Sequence, residues 1–177
     1  MLELITGRQS DRKYSEKPVE QDKLDRIIEA ARMSPSANNA QPWKFIVVTD
    51  EGMLRKIAEA ASAKLLGMNS FVGQAPVQII IVREKADLQT RAASAVKKRD
   101  YSLIDIGIAA ENICLQAEAE GLGSCIIGWF DEQAIKKHLG IPSRKRVELI
   151  ITIGYSLSSQ REKRRKPKDL TVSFNRY

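Results

Sequence analysis

The chain has 177 residues, of which 43% are hydrophobic and 29% charged. This composition is ordinary for a soluble globular protein with a core of its own, and we predict a single domain spanning residues 1–177. The net charge is +7, but six basic side chains and one glutamate fall within residues 161–168, which predicts one local anion site or a solvated tail and not the long basic face of a nucleic-acid-binding protein.

Other features of the sequence exclude further classes of protein. No apolar run approaches the roughly 18 residues that span a bilayer, and the start Met-Leu-Glu-Leu-Ile lacks the basic n-region of a secretory signal, so we predict a cytoplasmic protein without a membrane segment. Cys114 and Cys125 do not form a Cys-x-x-Cys pair, and His138 is the only histidine. This argues against a zinc or iron site and against a triad with a histidine base. We expect both thiols to be buried and reduced.

The N-terminal segment predicts a short helix followed by a phosphate-binding motif. Leucine and isoleucine in residues 2–5 favour a helix that Gly7 closes as its C′ residue. Arg8 and Arg12 follow at a spacing of four, with the hydroxyl of Ser10 between them. Two guanidinium groups in this arrangement can converge on one phosphate, because arginine offers bidentate charge-assisted hydrogen bonds. The alternative is a solvated basic turn.

A polar elbow separates the next helix from a strand. Residues 21–33 have apolar side chains at helical spacing, which predicts an amphipathic helix that ends before Pro35. Residues 45–48 form a continuous apolar run, which predicts a strand covered on both faces. The segment between them holds many hydrogen-bonding groups, as suits the edge of a flat heterocycle, although such residues also form ordinary turns: Ser36, Asn38, Asn39 and Gln41.

The middle of the chain alternates packing elements with irregular connections. Asp50 is a suitable N-cap for a helix that reaches Ala61, and residues 77–82 form a second buried strand. Lys64 and Asn69, in the connection between them, are candidate contacts for the polar edge of a bound ring. Residues 83–100 are polar and weakly patterned, which favours a cover over a cleft.

A long helix dominates the C-terminal half. Residues 101–120 carry a stripe of mostly small side chains, which predicts close approach of another helix in a dimer: Leu103, Gly107, Ala110, Cys114 and Ala117. The Gly-x-Gly at residues 121–123 precedes a short strand at 124–128 instead of following one, so a Rossmann fingerprint is excluded. A capped helix at 131–139 and a strand at 146–153 complete the predicted elements.

Four motifs, in this order along the chain, resemble the nitroreductase family of flavoproteins. They are Arg-x-Ser-x-Arg at residues 8–12, Pro-Ser-Ala-Asn-Asn-Ala-Gln-Pro-Trp at 35–43, the helix and Gly-x-Gly-Ser-Cys-x-x-Gly stretch at 105–128, and the Arg-Lys-Pro at 165–167. The resemblance implies a three-layer α/β fold with a mixed sheet flanked by helices. It also implies an intertwined homodimer with FMN at the subunit interface.

The resemblance assigns the FMN contacts residue by residue. The residues expected to contact the phosphate are Arg8, Gln9, Ser10, Arg12 and Arg165. Gln9 stands where another basic residue is common in the family. Residues of the elbow, some from the partner subunit, and Asn69 address the ring: Pro35, Ser36, Asn38, Asn39 and Gln41. Residues at the end of the short strand pass behind the flavin: Ile126, Ile127 and Gly128.

The implied activity is transfer of hydride and electrons from NAD(P)H through FMN to a small electron-poor acceptor such as a nitroaromatic or a quinone. The flavin performs the chemistry, so the resemblance implies neither a catalytic side chain nor a metal. Two alternatives stay open: another reaction on the same fold, such as reductive dehalogenation or flavin breakdown, and a non-catalytic flavin-binding or nucleic-acid-binding module that uses residues 161–168.

Overall fold

The computed structural model describes residues 1–62, 68–85 and 100–177. Lys64 and most of the polar stretch at 83–100 lie outside these ranges, and so do the predictions made for them. The described chain contains five α-helices, all at positions that the sequence predicted to within about two residues: α1 Leu2–Gly7, α2 Gln21–Arg32, α3 Glu51–Ala61, α4 Tyr101–Ala119 and α5 Glu132–Leu139. Short 3₁₀ turns occur at Ala37–Asn39, Ser70–Gln74 and Lys168–Leu170.

Four strands form one sheet in the order β1-β2-β4-β3: β1 Trp43–Val48, β2 Val77–Arg83, β3 Gly123–Ile127 and β4 Arg146–Gly154. All three strand pairs are antiparallel. In the described ranges the one parallel pairing is an isolated bridge between Ser10 and Ser124. The resemblance implied a mixed sheet, and in the described ranges the parallel pairing is confined to this bridge.

The sheet lies between two helical layers, as expected for a three-layer α/β fold. Alternate residues of β2 enter opposite cores: Ile79 packs with residues of α2 and α4, whereas Ile80 packs with residues of α3 and α5. Both isoleucines are fully buried. Central strands β2 and β4 therefore carry apolar residues on both faces over most of their length, which explains apolar runs such as residues 79–82.

Three helix ends were predicted by their caps. The Asp50 carboxylate accepts a hydrogen bond from Met53 N at 2.8 Å, and the Asp131 carboxylate accepts one from Ala134 N at 3.0 Å. Gly140 closes α5 with φ of 64°, in the left-handed region that glycine adopts without steric cost. These local signals were sufficient because each cap is made within a few residues of the chain.

Three sequence predictions need correction. β1 is an edge strand with Val47 38% exposed, so it is not covered on both faces. Gly7 ends α1 inside the helix and has no positive φ; instead, a Cβ there would stand 2.5 Å from Glu118 Oε1 on α4. The small-residue stripe of α4 also divides: Leu103 and Gly107 are exposed, whereas Ala110 and the members beyond it are buried, because these later members pack in the core with α2 and the sheet.

Candidate active site

The N-terminal segment lies against the far end of the chain. Asp11 N donates to Ser124 O at 2.9 Å, and Tyr14 forms a bridge with Ser156. The Tyr14 hydroxyl is buried, bonds to Thr152 Oγ1 at 2.8 Å and donates to Asp11 O at 2.9 Å; burial raises the pKa of this hydroxyl. The motif at residues 8–12 is therefore fixed beside β3 and β4 by main-chain and buried contacts.

Gln9 connects the two ends of the chain through its side-chain amide. Nε2 donates to Asp11 Oδ1 at 3.0 Å and to Ser159 O at 3.1 Å. Oε1 accepts from Arg161 N at 3.1 Å and from Arg161 Nε at 3.2 Å. Gln9 lies beside the expected phosphate site, and its amide is engaged by protein groups. Its structural task is to hold the basic C-terminal segment in place.

Basic residues from both ends of the chain line one cleft of about 640 Å³. The structure thus brings together the residues predicted to bind phosphate, including Arg165, and three further cations of the basic segment to which the sequence analysis assigned no FMN contact. The lining consists of six basic side chains, one acid and two neutral polar residues: Arg8, Arg12, Arg161, Lys163, Arg164, Arg165, Glu162, Gln9 and Ser10. A cleft lined mainly by cations can hold a multiply charged anion.

The concentration of positive charge in this cleft affects the side chains of Arg8 and Lys163. Arg8 Nε is buried without a hydrogen-bond partner among the described residues, and its nearest acid, Glu111 Oε1, is 3.7 Å away. Lys163 Nζ donates to Arg8 O. Burial lowers the pKa of Lys163, and the positive charges of Arg8 and Arg165 lower it further. An anion in the cleft would relieve both effects. The sequence feature that could have pointed to Lys163 as an anion-binding residue was its position within a run of basic residues.

Asn69 and the residues at the end of β3, which the sequence analysis assigned to the flavin ring, form a second set of candidate site residues. Asn69 Nδ2 donates to Trp129 O at 3.0 Å, which ties this residue to the turn after β3. Ile126 is 37% exposed whereas Ile127 is buried, and no described atom lies within 4 Å of the position that a Cβ on Gly128 would take. The turn therefore leaves open space beside its main chain.

Arg12 lies between the basic cleft and the segment that carries Asn69 and Phe71. Its guanidinium lies 5.9 Å from the centre of the Phe71 ring, two residues after Asn69, and it also lines the basic cleft. The cleft and the open turn after β3 are consequently neighbours within one protomer. A ligand with an anionic tail and a flat head has contacts available at both.

The polar elbow adopts a constrained shape. Asn38, Asn39 and Gln41 have φ of 52°, 55° and 45°, a left-handed conformation that costs non-glycine residues on the order of 1 kcal/mol or more each. Ser36 Oγ accepts from Gln41 N at 2.9 Å, while Gln41 Nε2 donates to Asn39 Oδ1 at 3.1 Å. Pro35, at its start, is exposed. A surface turn that stores strain presents its polar groups in one arrangement.

The elbow is anchored to α4 near the start of that helix. Both carboxylate oxygens of Asp105 accept from Ala37 N at 3.2 Å, and Asn112 Nδ2 donates to Ser34 Oγ at 2.8 Å. Burial raises the pKa of Asp105, and the hydrogen bond from Ala37 opposes that rise. Arg8 meets the same helix at Glu111, six residues or roughly 9 Å further along. Within the described part of the chain, no elbow residue lines the basic cleft.

Both thiols of the chain are buried. Cys114 and Cys125 are free and buried, as expected, and burial raises the pKa of Cys114 to about 11. Among residues 1–62, 68–85 and 100–177, no three His, Cys, Asp or Glu side chains are grouped to hold a metal ion. No helix in the same ranges is long and apolar enough to cross a membrane.

Comparison with known proteins agrees with the motifs. The model of the Nitroreductase family matches residues 5–155. A provisionally named NADH dehydrogenase/NAD(P)H nitroreductase of Archaeoglobus fulgidus is 32% identical over 160 residues, covering 87% of this chain and 84% of the relative. A provisionally named NAD(P)H nitroreductase of Streptococcus pyogenes is 31% identical, covering 97% of both chains. The solved structure of an FMN-dependent nitroreductase from Clostridium difficile is 33% identical, covers all of both chains and has a TM-score of 0.82.

Proposed function

Because the chain belongs to the nitroreductase family, we propose that it binds FMN and passes electrons from NAD(P)H through the flavin to a small electron-poor acceptor such as a nitroaromatic or a quinone. The observation that carries this proposal is the basic cleft, in which arginines from residues 8–12 and 161–165 meet. The names of relatives that cover nearly the whole chain support the same activity.

The cleft suits the phosphate end of FMN. A phosphate monoester carries a charge near −2 at neutral pH, so its binding calls for more than one cation. Arg8, Arg12 and Arg165 offer guanidinium groups, Ser10 offers a hydroxyl, and Lys163 adds an ammonium whose pKa is already lowered by its surroundings. The buried Arg8 Nε without a partner is the atom whose hydrogen bonding a bound anion would most improve.

The open turn after β3 suits the ring. Ile126, Ile127 and Gly128 offer main-chain groups and a position free of side-chain atoms, and Asn69 holds the turn in place from the other side. Bound FMN supplies the hydride and electron-transfer chemistry. The chain's own residues bind its phosphate, orient its ring and shape the space beside it, so we assign no residue as nucleophile or base.

We assign the elbow to the ring bound by a partner subunit. In its own protomer no residue of the elbow, which lies within the described ranges, lines the cleft. The side chains of Pro35, Asn38, Asn39 and Gln41 are exposed, and that of Ser36 is partly buried. Its strained and hydrogen-bonded shape supports a binding role, because strain of this kind is retained where a site needs fixed geometry. A homodimer would bring each elbow to the other subunit's site.

An apolar strip on α4 supports that homodimer. Leu103 and Ile104 are each 48% exposed and Ile108 is 37% exposed, with Gly107 between them. The strip is continuous along one side of the helix because its members are three or four residues apart. Exposed apolar strips of this kind mark protein interfaces, and the glycine permits close approach of a second helix. Cytoplasmic location stays a prediction from the sequence.

The test of the proposal combines flavin occupancy with variants of the cleft. We expect purified protein reconstituted with FMN to retain it, and the double variant Arg12→Ala/Arg165→Ala to lose most of it. The matched control is Arg55→Ala/Arg144→Ala, which removes the same charge from exposed positions outside the cleft. Full FMN occupancy in the cleft variant would reject the assigned phosphate site, whereas loss of FMN in both variants would point to net charge and not to this cleft.

A further inference from the structure

Asp105 on α4 is a buried carboxylate that accepts a hydrogen bond from the elbow. The residue is 4% exposed, and both of its carboxylate oxygens lie 3.2 Å from Ala37 N. In the described part of the chain, the charged group that acts on it is Asp100, which has the same sign, and not a cation. A carboxylate buried without a cation costs free energy, so packing alone does not favour an aspartate at this position.

The contact is made where the strain of the elbow begins. Ala37 directly precedes Asn38, which is the first of the three left-handed residues of the elbow. A second contact from α4 holds the chain just before the elbow, since Asn112 Nδ2 donates to Ser34 Oγ at 2.8 Å. Asp105 and Asn112 are seven residues apart in the sequence and therefore lie on one face of the helix. Strained residues persist where surrounding contacts fix them, and the two contacts from α4 have this effect on the elbow.

The two apolar cores do not depend on the strained shape of the elbow. Ala37 is partly exposed, so its N–H can donate to water when the carboxylate is removed. The side chains of the three left-handed residues are exposed and belong to neither core. Without the carboxylate, the elbow can relax to an unstrained turn while both cores stay packed. Asp105 therefore adds fixed geometry to the elbow and little to the stability of the fold.

We propose that Asp105 is a positioning residue for the flavin, because it holds the elbow in the shape that addresses the ring bound by a partner subunit. The inference rests on the proposed function, in which the elbow contacts that ring. Asp105 contacts the main chain of the elbow, so it acts through the elbow and not on the flavin directly. Its neighbours Ile104 and Ile108 belong to the exposed strip of α4. The helix assigned to the dimer interface therefore also sets the shape of the elbow.

Two replacements of the carboxylate separate positioning from folding. Asp105→Leu removes the acceptor of the Ala37 N–H, whereas Asp105→Asn keeps one acceptor oxygen without the charge. We expect Asp105→Leu to raise the Kd of FMN about tenfold in a fluorescence titration, as for the loss of one charge-assisted hydrogen bond. The midpoint of urea unfolding of the flavin-free protein should be unchanged or higher, because a buried carboxylate is replaced by an apolar side chain. Asp105→Asn should return the Kd of FMN to within about threefold of the wild-type value.

Inorganic phosphate, used as a competitor of FMN, reports whether the phosphate cleft is intact. Its inhibition constant should change less than about twofold in Asp105→Leu, because the substitution lies outside the cleft. The same constant should rise in Arg12→Ala/Arg165→Ala. Gln116→Leu is the matched control, since it removes a partly buried polar side chain near the other end of α4, where Gln116 Nε2 donates to Glu120 Oε1 at 2.8 Å. It should leave the Kd of FMN within about twofold of the wild-type value.

The outcomes separate this inference from the proposed function. An unchanged Kd of FMN in Asp105→Leu, or an equal rise in the constants for FMN and for phosphate, would overturn the positioning role and leave the FMN assignment intact. A lower unfolding midpoint in Asp105→Leu, or dissociation of a dimer that the wild-type protein forms, would also overturn it, because Asp105 would then act on folding or assembly. Failure of the wild-type protein to bind FMN would reject the proposed function itself.

Discussion

Gln9→Ala should weaken FMN binding, although the side-chain amide of Gln9 forms its hydrogen bonds with other residues of the protein. The substitution removes four hydrogen bonds, two to Arg161 and one each to Asp11 and Ser159. The net contribution of one such bond is about 0.5–1.5 kcal/mol. Because most of these contacts are exposed, we take the lower end for each, which gives about 2 kcal/mol in total or roughly a thirtyfold rise in the Kd of FMN.

The physical reason is loss of preorganisation. Without Gln9 the segment that carries Lys163 and Arg165 must be ordered when FMN binds, and that cost reduces affinity. Fluorescence titration of FMN measures the Kd. The rate of tryptic cleavage within residues 161–168 of the flavin-free protein measures how firmly the segment is docked, and it should rise in the variant.

Gln160→Ala is the matched control for Gln9→Ala. Gln160 Nε2 makes one hydrogen bond, to Gly7 O at 2.9 Å, so its loss should raise the Kd of FMN only about twofold, for about 0.5 kcal/mol. Equal effects of the two variants, or an unchanged cleavage rate in Gln9→Ala, would refute the argument that Gln9 holds the basic segment in place.

Three further predictions concern packing, pH and assembly. Gly154→Ala places a Cβ 2.6 Å from the ring of a neighbouring proline and should lower the free energy of unfolding in urea by about 1–3 kcal/mol, whereas Gly73→Ala, with an ordinary 3.5 Å contact, should be nearly neutral. Burial raises the pKa of Cys114 from 9.0 to about 11, so the stability that the protonated thiol contributes is complete below pH 9 and is lost as pH rises through 11. Cys114→Ala should therefore reduce the fall in unfolding free energy at alkaline pH by up to about 2–3 kcal/mol. The part of that fall due to Tyr14, whose pKa is also raised, should remain. Ile104→Glu should shift sedimentation from dimer to monomer and reduce FMN binding with it; a dimer of unchanged stability would contradict the interface assigned to α4.

The sequence predicted features that depend on neighbouring residues. Helix α2 and the capped start of α3 follow from side-chain spacing and from Asp50 within a few positions. The continuous apolar run of β2 follows from its central place in the sheet. Each of these signals is local, because it is made by residues that are close in the chain.

Features that depend on distant residues were not predictable. The antiparallel order of the sheet leaves no mark on buried apolar runs. The bonds of Gln9 to Arg161 join positions 152 residues apart, and a single polar residue carries no signal of such a partner. Gly7 has the sequence context of a helix cap, but it lies inside α1 without a positive φ. The cleft was predictable only in part. Each of its two basic motifs is visible in a short stretch of sequence, but their meeting in one cleft depends on contacts between distant parts of the chain.

The most direct test of the central claim is anaerobic reduction of the FMN-loaded protein by NADH or NADPH, followed by addition of a nitroaromatic or a quinone. The account predicts that at least one nucleotide bleaches the flavin absorption and that the acceptor restores it, with both steps lost in the variant Arg12→Ala/Arg165→Ala. A protein that holds no flavin, or whose bound flavin is reduced by neither nucleotide, would contradict the account.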